Sequence, residues 1–296
     1  MTRPREVVPG RFYFITRRCA QRQFLLHPDR DTTQVFAYCL AVSIKNYEMQ
    51  VIASCAMSNH HHTVIFDPKG RYPEFLENFH RLTARAMNLV RDKRKENFWS
   101  SHQVNVVRLD DYAAVLEKIC YTFVNPVRHC TVWHERDWPG FHTYKLLRYG
   151  QTMTVERPRF FFRKVNDNKR LPPVIELAMT LPDELLGHRT REAFFAELDD
   201  RLDFAREQWL AEHKADKRRP IGKAAVLAQS WRSYAIDDPN HPNYAKWRER
   251  RNAIKPTRAT KDKDKQRDGA IHDAEFQKKY RKARKKMIKG EPCVFP

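Results

Sequence analysis

Apolar and polar positions alternate differently in the two halves of the chain. The first half switches between strand and helix periods, and the second is mostly helical. Aromatic and β-branched residues in RFYFITRR (11–18) predict a strand. Asp29 or Asp31 is placed to cap a helix running to about Asn46, with Val35, Tyr38, Cys39 and Val42 at helical spacing. EMQVIASCAM (48–57) and HHHTVIF (60–66) predict two short strands joined by a turn at Ser58-Asn59. From Glu74 to about Lys93, Phe75, Phe79, Leu82, Ala86 and Leu89 recur with a helical period. HQVNVVRL (102–109) has strand character, and Asp110 or Asp111 opens a helix expected to end near Asn125-Pro126. The first six elements of this β-α-β-β-α-β-α order predict an α+β fold of ferredoxin-like (RRM-like) type, an antiparallel sheet with helices on one face.

Beyond about residue 150 the pattern changes. RPRFFFRKVNDNKRLPPV (157–174) sets basic residues around three Phe ahead of a Pro pair. It reads either as a boundary or nucleic-acid contact, or as a loop with core aromatics. An amphipathic helix over about 191–213 aligns Phe194, Leu198, Leu202, Ala205 and Trp209. Shorter helical pieces are expected at 222–234, 243–253 and 273–289. The expected organisation is a domain at 1–150, a mainly helical, basic accessory region at 151–245, and a basic, partly flexible tail at 246–296.

Charge narrows the function. The 296 residues carry a net +20, a field that attracts polyanions, nucleic acid first among them. Residues 246–296 alone hold 18 Lys/Arg against 7 Asp/Glu. Such a segment recruits phosphate through salt-sensitive attraction and chooses no sequence. The longest apolar run, VFAYCLAVSI (35–44), has ten residues, short of the roughly 18 a bilayer span needs. The N-terminal MTRPREVVPG lacks the apolar stretch of a signal peptide. A soluble cytoplasmic protein with no membrane partner is expected. The six cysteines form no CxxC pair and are expected as reduced thiols acting as small hydrophobes.

The candidate chemistry begins in CAMSNHHHTVIF (55–66). On a strand, side chains at i and i+2 share a face, so His60 and His62 project together and His61 opposite. Two imidazoles on a rigid strand form half a site for a divalent cation; the alternative is a polar edge strand that happens to be rich in His. A metal needs further ligands, and KICYTFVNPVRH (118–129) offers them. Tyr112, Leu116, Ile119 and Phe123 make the apolar stripe of that helix, and Tyr121 lies about 140° around from Leu116. Tyr121 and Asn125, four apart, share a face, although Pro126 biases Asn125 away from helical geometry. A tyrosine so placed is also what a packing or surface aromatic looks like. Glu117 lies four before Tyr121, near enough to orient a phenol or approach a metal.

The region from about Gly10 to Lys145, half of the chain, resembles the REP-associated tyrosine transposases, relatives of the insertion-sequence-200-type single-tyrosine HUH transposases. FYFITRRCAQRQFLL, MSNHHHTVI (57–65) and YTFVNPVRH (121–129) carry the resemblance. The family shows M-P-N-H-x-H on a strand and later Y-x-x-x-N-P-V-R, and both stand here in order. Ser58 occupies the usual Pro position, His61 fills a middle position that is usually hydrophobic, and His129-Cys130 follow the Arg where Ala-Gly is common. The resemblance implies that His60 and His62 are metal ligands, Asn125 a third, and Tyr121 the nucleophile that attacks a scissile DNA phosphate. A 5′-phosphotyrosine link and a free 3′-OH would result. The implied cofactor is a divalent metal ion, Mg2+ or Mn2+. The implied partner is single-stranded or hairpin DNA, handled by a homodimer or a monomer.

Arg17, Arg18 and Arg22, around the end of the first strand, are candidate phosphate contacts or a solvated loop. Arg128 would bind phosphate or brace its turn. RPRFFFRK and YAKWRERR mix aromatic and basic residues suited to stacking single-stranded bases, or to a core with a charged rim. Two rivals remain beside the DNA nickase and strand transferase: a non-catalytic nucleic-acid-binding module on the same fold, and a metal-dependent hydrolase of small phosphoesters.

Overall fold

The computed structural model describes residues 4–92, 96–159, 171–235 and 256–296. Most of RPRFFFRKVNDNKRLPPV, all of YAKWRERR and the helical piece expected at 243–253 lie outside the described residues.

The first half contains β1 (Arg11–Arg18), α1 (Arg30–Tyr47), β2 (Gln50–Met57), β3 (His60–Asp67), α2 (Tyr72–Val90), β4 (Asn105–Leu109) and α3 (Tyr112–Arg128). Then come α4 (Tyr144–Arg148), β5 (Met153–Glu156), β6 (Val174–Leu177), α5 (Asp183–Leu186), α6 (Arg191–Ala215), α7 (Lys223–Ala228), β7 (Arg258–Ala259) and α8 (Lys263–Ile288). The sheet runs β2-β3-β1-β4, antiparallel throughout, with β7 added in parallel beside β4. β5 and β6 form a separate antiparallel pair. Among the described residues no helix is long and apolar enough to cross a membrane. All six cysteines are free thiols.

Helix starts follow from capping. Asp29 accepts the Thr32 N–H at 2.7 Å and Asp111 the Ala114 N–H at 2.7 Å, each worth about 1 kcal/mol. α3 runs past Pro126 to Arg128, two residues beyond the expected end. Pro126 removes only one N–H, the His129 N–H still reaches the Asn125 carbonyl at 3.0 Å, and Val127 is fully buried.

Both faces of the sheet are covered. α1 and α2 pack on one face, where Phe36, Tyr38, Phe75 and Phe79 meet Ile15 and Ile65. On the other, Phe14, Val64, Phe66 and Val107 lie under Leu116, Ile119 and Phe123 of α3, joined by Phe194, Phe195, Leu198 and Leu202 of α6. The first six elements keep the expected α+β arrangement, with α1 and α2 on one face of the antiparallel sheet, and α3, the seventh, covers the other. The strands put large apolar side chains on both sides, so the second face also needs a cover. That cover carries the candidate chemistry.

Candidate active site

β3 lies between β2 and β1, with His60 opposite Arg18 and Met57, and His62 opposite Thr16 and Cys55. This register sends His61 to the α1–α2 face. There its ring lies 5.5 Å from Phe36, 5.4 Å from Phe79 and 5.8 Å from Trp99. Its Nε2 is 2.9 Å from Nε2 of His80, and Nδ1 is 3.1 Å from the Thr63 hydroxyl. His60 and His62 face α3, their ring centroids 4.8 Å apart.

Both rings are buried, and that decides their charge. Burial, helped by the Arg18 and Arg128 charges, pushes His60 down to about 3. Burial and the neighbouring His60 hold His62 well below the ordinary histidine value. Both are therefore neutral imidazoles near pH 7, the form that binds a metal. His60 Nδ1–H donates to Asn59 Oδ1 at 2.6 Å, which leaves the lone pair on Nε2. His62 Nδ1 shares a 2.9 Å hydrogen bond with the Thr16 hydroxyl. Tying one ring nitrogen in this way orients the other towards a ligand.

α3 supplies the opposing wall. Tyr121, Asn125 and Arg128 fall at i, i+4 and i+7, on one side of the helix. The Tyr121 ring stands edge-on to His62 at 5.1 Å and to Phe14 at 5.6 Å. Its hydroxyl accepts a hydrogen bond from Arg128 Nη1. The Arg128 guanidinium lies over the Tyr121 ring at 4.7 Å and over the Trp209 ring of α6 at 5.1 Å, so it is held between two π faces. Asn125 is fully buried near His60, yet neither Oδ1 nor Nδ2 has a hydrogen-bond partner of ordinary geometry among the described residues. Leaving such a group unpaired costs about 1–3 kcal/mol. Two neutral imidazoles and this amide are the residues that could offer N,N,O donors to a divalent cation. No group of three His, Cys, Asp or Glu among the described residues stands ready to hold one, so an amide oxygen would have to complete the set.

These groups line a cleft of about 550 Å³. Arg18, Arg22, Arg128, Arg218 and Arg219 wall it, and no Asp or Glu is among its described lining residues. The loop after β1 is fastened to the β2–β3 turn. The Cys19 N–H bonds the Asn59 carbonyl at 2.8 Å, Leu26 N–H the Ser58 carbonyl at 2.9 Å, and Asn59 Nδ2 the Arg22 carbonyl at 3.2 Å. Arg22 takes a left-handed backbone, φ 60°.

Of the residues singled out in the sequence, His60, His62, Tyr121, Arg18, Arg22 and Arg128 line this one cleft, with Asn125 buried beside it. Arg17 does not join them. It projects from the opposite face, 5.9 Å over Trp99, because neighbours on a strand point apart. Glu117 is ion-paired to Lys118 and Lys261 and is absent from the lining. Reading the sequence missed His129, whose ring lies 5.3 Å from that of His60, although its place four after Asn125 would have flagged it. It also missed Arg218, Arg219 and the stacking partner Trp209.

No family model matches the chain, and no curated protein does. Among solved structures it is similar to a REP-associated tyrosine transposase bound to a REP hairpin, at TM-score 0.41 and 17% identity over 49% of this chain and 82% of that one. It is also similar to a putative transposase from Deinococcus radiodurans R1, at TM-score 0.30 and 17% identity over 38% of this chain and 89% of that one.

Proposed function

We propose that the chain is a metal-dependent single-strand DNA nickase and strand transferase of transposase type, with Tyr121 as its nucleophile. One observation carries this reading: the Tyr121 phenol opens into a cleft walled by five arginines and no described carboxylate, beside a pair of neutral histidines. Such a cleft suits a phosphodiester and repels small cationic substrates. The partner of this reading is single-stranded or unpaired hairpin DNA.

In the proposed reaction Tyr121 Oη attacks the scissile phosphorus. The bond to the 3′ oxygen breaks, leaving a 5′-phosphotyrosine and a 3′-OH, and the phenol proton ends on that departing oxygen. Arg128, donating to Oη, aims the phenol and stabilises negative charge as it develops there. Arg18 and Arg22 would hold neighbouring phosphates so that attack is in line. His60, His62 and Asn125 would hold a divalent cation, Mg2+ or Mn2+, that when bound neutralises the non-bridging phosphate oxygens. The covalent ester conserves the energy of the broken bond, so the same site can rejoin strands.

The test is a denaturing gel. Full-length protein is incubated with labelled single-stranded DNA from the flanks of its own gene, with manganese or magnesium. A detergent-resistant adduct is expected from wild type and from neither Tyr121→Phe nor His62→Ala. Cleavage that survives Tyr121→Phe would instead indicate an ordinary hydrolase. Binding without cleavage would leave the non-catalytic module.

A further inference from the structure

We infer that the segment leaving α6 carries a phosphate-binding subsite, formed by Arg218 and Arg219, which seats the backbone of a single DNA strand beyond the scissile position. This rests on the reading of the cleft as a nucleic-acid site. It adds that the second half of the chain supplies part of that site.

The segment is fastened to the elements that build the cleft. The Arg218 N–H bonds the His213 carbonyl at 2.8 Å at the end of α6. Just past α3, the Ile221 N–H bonds the Cys130 carbonyl at 3.3 Å, and the Gly222 N–H the Thr131 carbonyl at 2.9 Å. Gly222 has φ +85°, a backbone that favours glycine. The chain then enters α7, where Val226 is buried with Cys55, Met57, Val132 and Trp138. Farther on, the Phe24 N–H bonds the Ser233 carbonyl at 2.9 Å, and the Ala235 N–H the Arg22 carbonyl at 3.2 Å. Both ends of this strap therefore hold to the loop after β1 or the end of α3. Arg218 and Arg219, just ahead of the first of these tethers, line with Ile221 and Gln229 the cavity that His60, His62 and Tyr121 share.

The charge on the strap has no internal use. Arginines that brace this fold meet carboxylates: Arg91 with Asp29 at 2.8 Å, Arg148 with Asp199 at 3.1 Å, and Arg206 with Glu135 at 3.1 Å. For Arg218 and Arg219 no carboxylate partner is found among the described residues, and the described groups that feel the Arg218 charge are His129 and Cys130, neither of them an anion. Two adjacent guanidiniums stand over a cleft also lined by Arg18, Arg22 and Arg128, a concentration of positive charge that an entering anion would relieve. A phosphodiester chain, with its regularly spaced single charges, meets that need.

The test measures binding, in the full-length Tyr121→Phe background so that no adduct forms. Affinity for a labelled oligothymidylate is followed across a salt series for that protein and for Arg218→Gln/Arg219→Gln. Losing two contacts should flatten the slope of log K against log salt by about 1.4, at roughly 0.7 per single-strand phosphate. Binding near 0.1 M salt should weaken on the order of tenfold, the difference fading towards 1 M. The thermal midpoint should not move, because neither side chain braces the fold. Lys285→Gln/Lys286→Gln on α8 removes equal charge elsewhere and should change the slope much less. An unchanged slope, or an equal change from the α8 pair, overturns the subsite. If the slope drops while the wild type forms no adduct on any flank, the strap binds nucleic acid and the catalytic reading fails by itself.

Discussion

Trp209→Ala should slow adduct formation although the indole lies on α6 and touches no reacting atom. Arg128 Nε has no hydrogen-bond partner among the described residues. The guanidinium that donates to the Tyr121 hydroxyl is therefore held mainly by its two aromatic neighbours, at 4.7 and 5.1 Å. A cation–π contact is worth about 0.5–1 kcal/mol when exposed and about 2 when desolvated, and Trp209 and Arg128 are both half-buried. Losing one face at about 1 kcal/mol lowers the population of the aimed guanidinium roughly fivefold, within limits of about twofold and thirtyfold. Truncating a half-buried indole also costs about 2 kcal/mol of stability, roughly half the figure for a full core position. Three variants separate the two effects. Trp209→Phe keeps a π face and should stay within about twofold of the wild-type rate. Trp209→Leu keeps apolar volume without a π face, so its stability should lie near that of the Phe variant and its rate near that of the Ala variant. The assay is single-turnover adduct formation at saturating DNA, well below each variant's melting temperature. A Leu variant as fast as wild type refutes the reasoning.

Three further outcomes are expected. His61→Leu should cost about 1–3 kcal/mol in chemical denaturation because it strands His80 Nε2, whereas His61→Leu/His80→Leu should recover much of that loss; additive losses would show that the pair is not coupled. His60 and His61 are held down to about 3 in the folded protein against about 6.5 unfolded, so the unfolded state binds more protons between those values. Stability should be complete above about pH 6.5 and fall below it by about 1.4 kcal/mol per pH unit for each such histidine. The His61/His80 double variant should show a shallower decline, and an equal slope would contradict the assignment. Asn125→Ala should leave the metal-free protein as stable or slightly more stable, since it removes an orphaned amide, while abolishing the rise in melting temperature on adding Mn2+; a large loss of metal-free stability would mean the amide is structural.

The four antiparallel strands and the split of His60 and His62 from His61 were legible because a period of two leaves one assignment once a segment is a strand, whereas the start of β4 and the two-residue β7, which adds to the sheet from a distant segment, were not. The same period, applied to Arg17 and Arg18, would have sent them to opposite faces; reading them as a basic cluster concealed it. Periodicity set Tyr121 off the apolar stripe of α3 and put Asn125 on its face, but it was the resemblance that gave the two a role. Trp209 was legible only as part of an apolar helix face, since nothing local says that Arg128 lies across from it. Arg218 and Arg219 had no local signature at all. Their position depends on backbone bonds to Cys130 and Thr131, far away in the chain, and no periodicity reports such a contact.

On the proposed reading, a cleft lined by arginines with no carboxylate among its described lining residues would also favour one order of ligand arrival. Two neutral imidazoles and an amide bring no negative charge of their own, so on the proposed reading a dication entering alone would meet a strongly basic cleft wall. A seated DNA strand supplies the missing anions. By thermodynamic reciprocity, each ligand then tightens the binding of the other by the same factor. Metal affinity of the free protein would understate its affinity in the complex, and the gap would narrow as salt screens the field. On the proposed reading the site stays unarmed in solution and is completed by the strand it is about to cut.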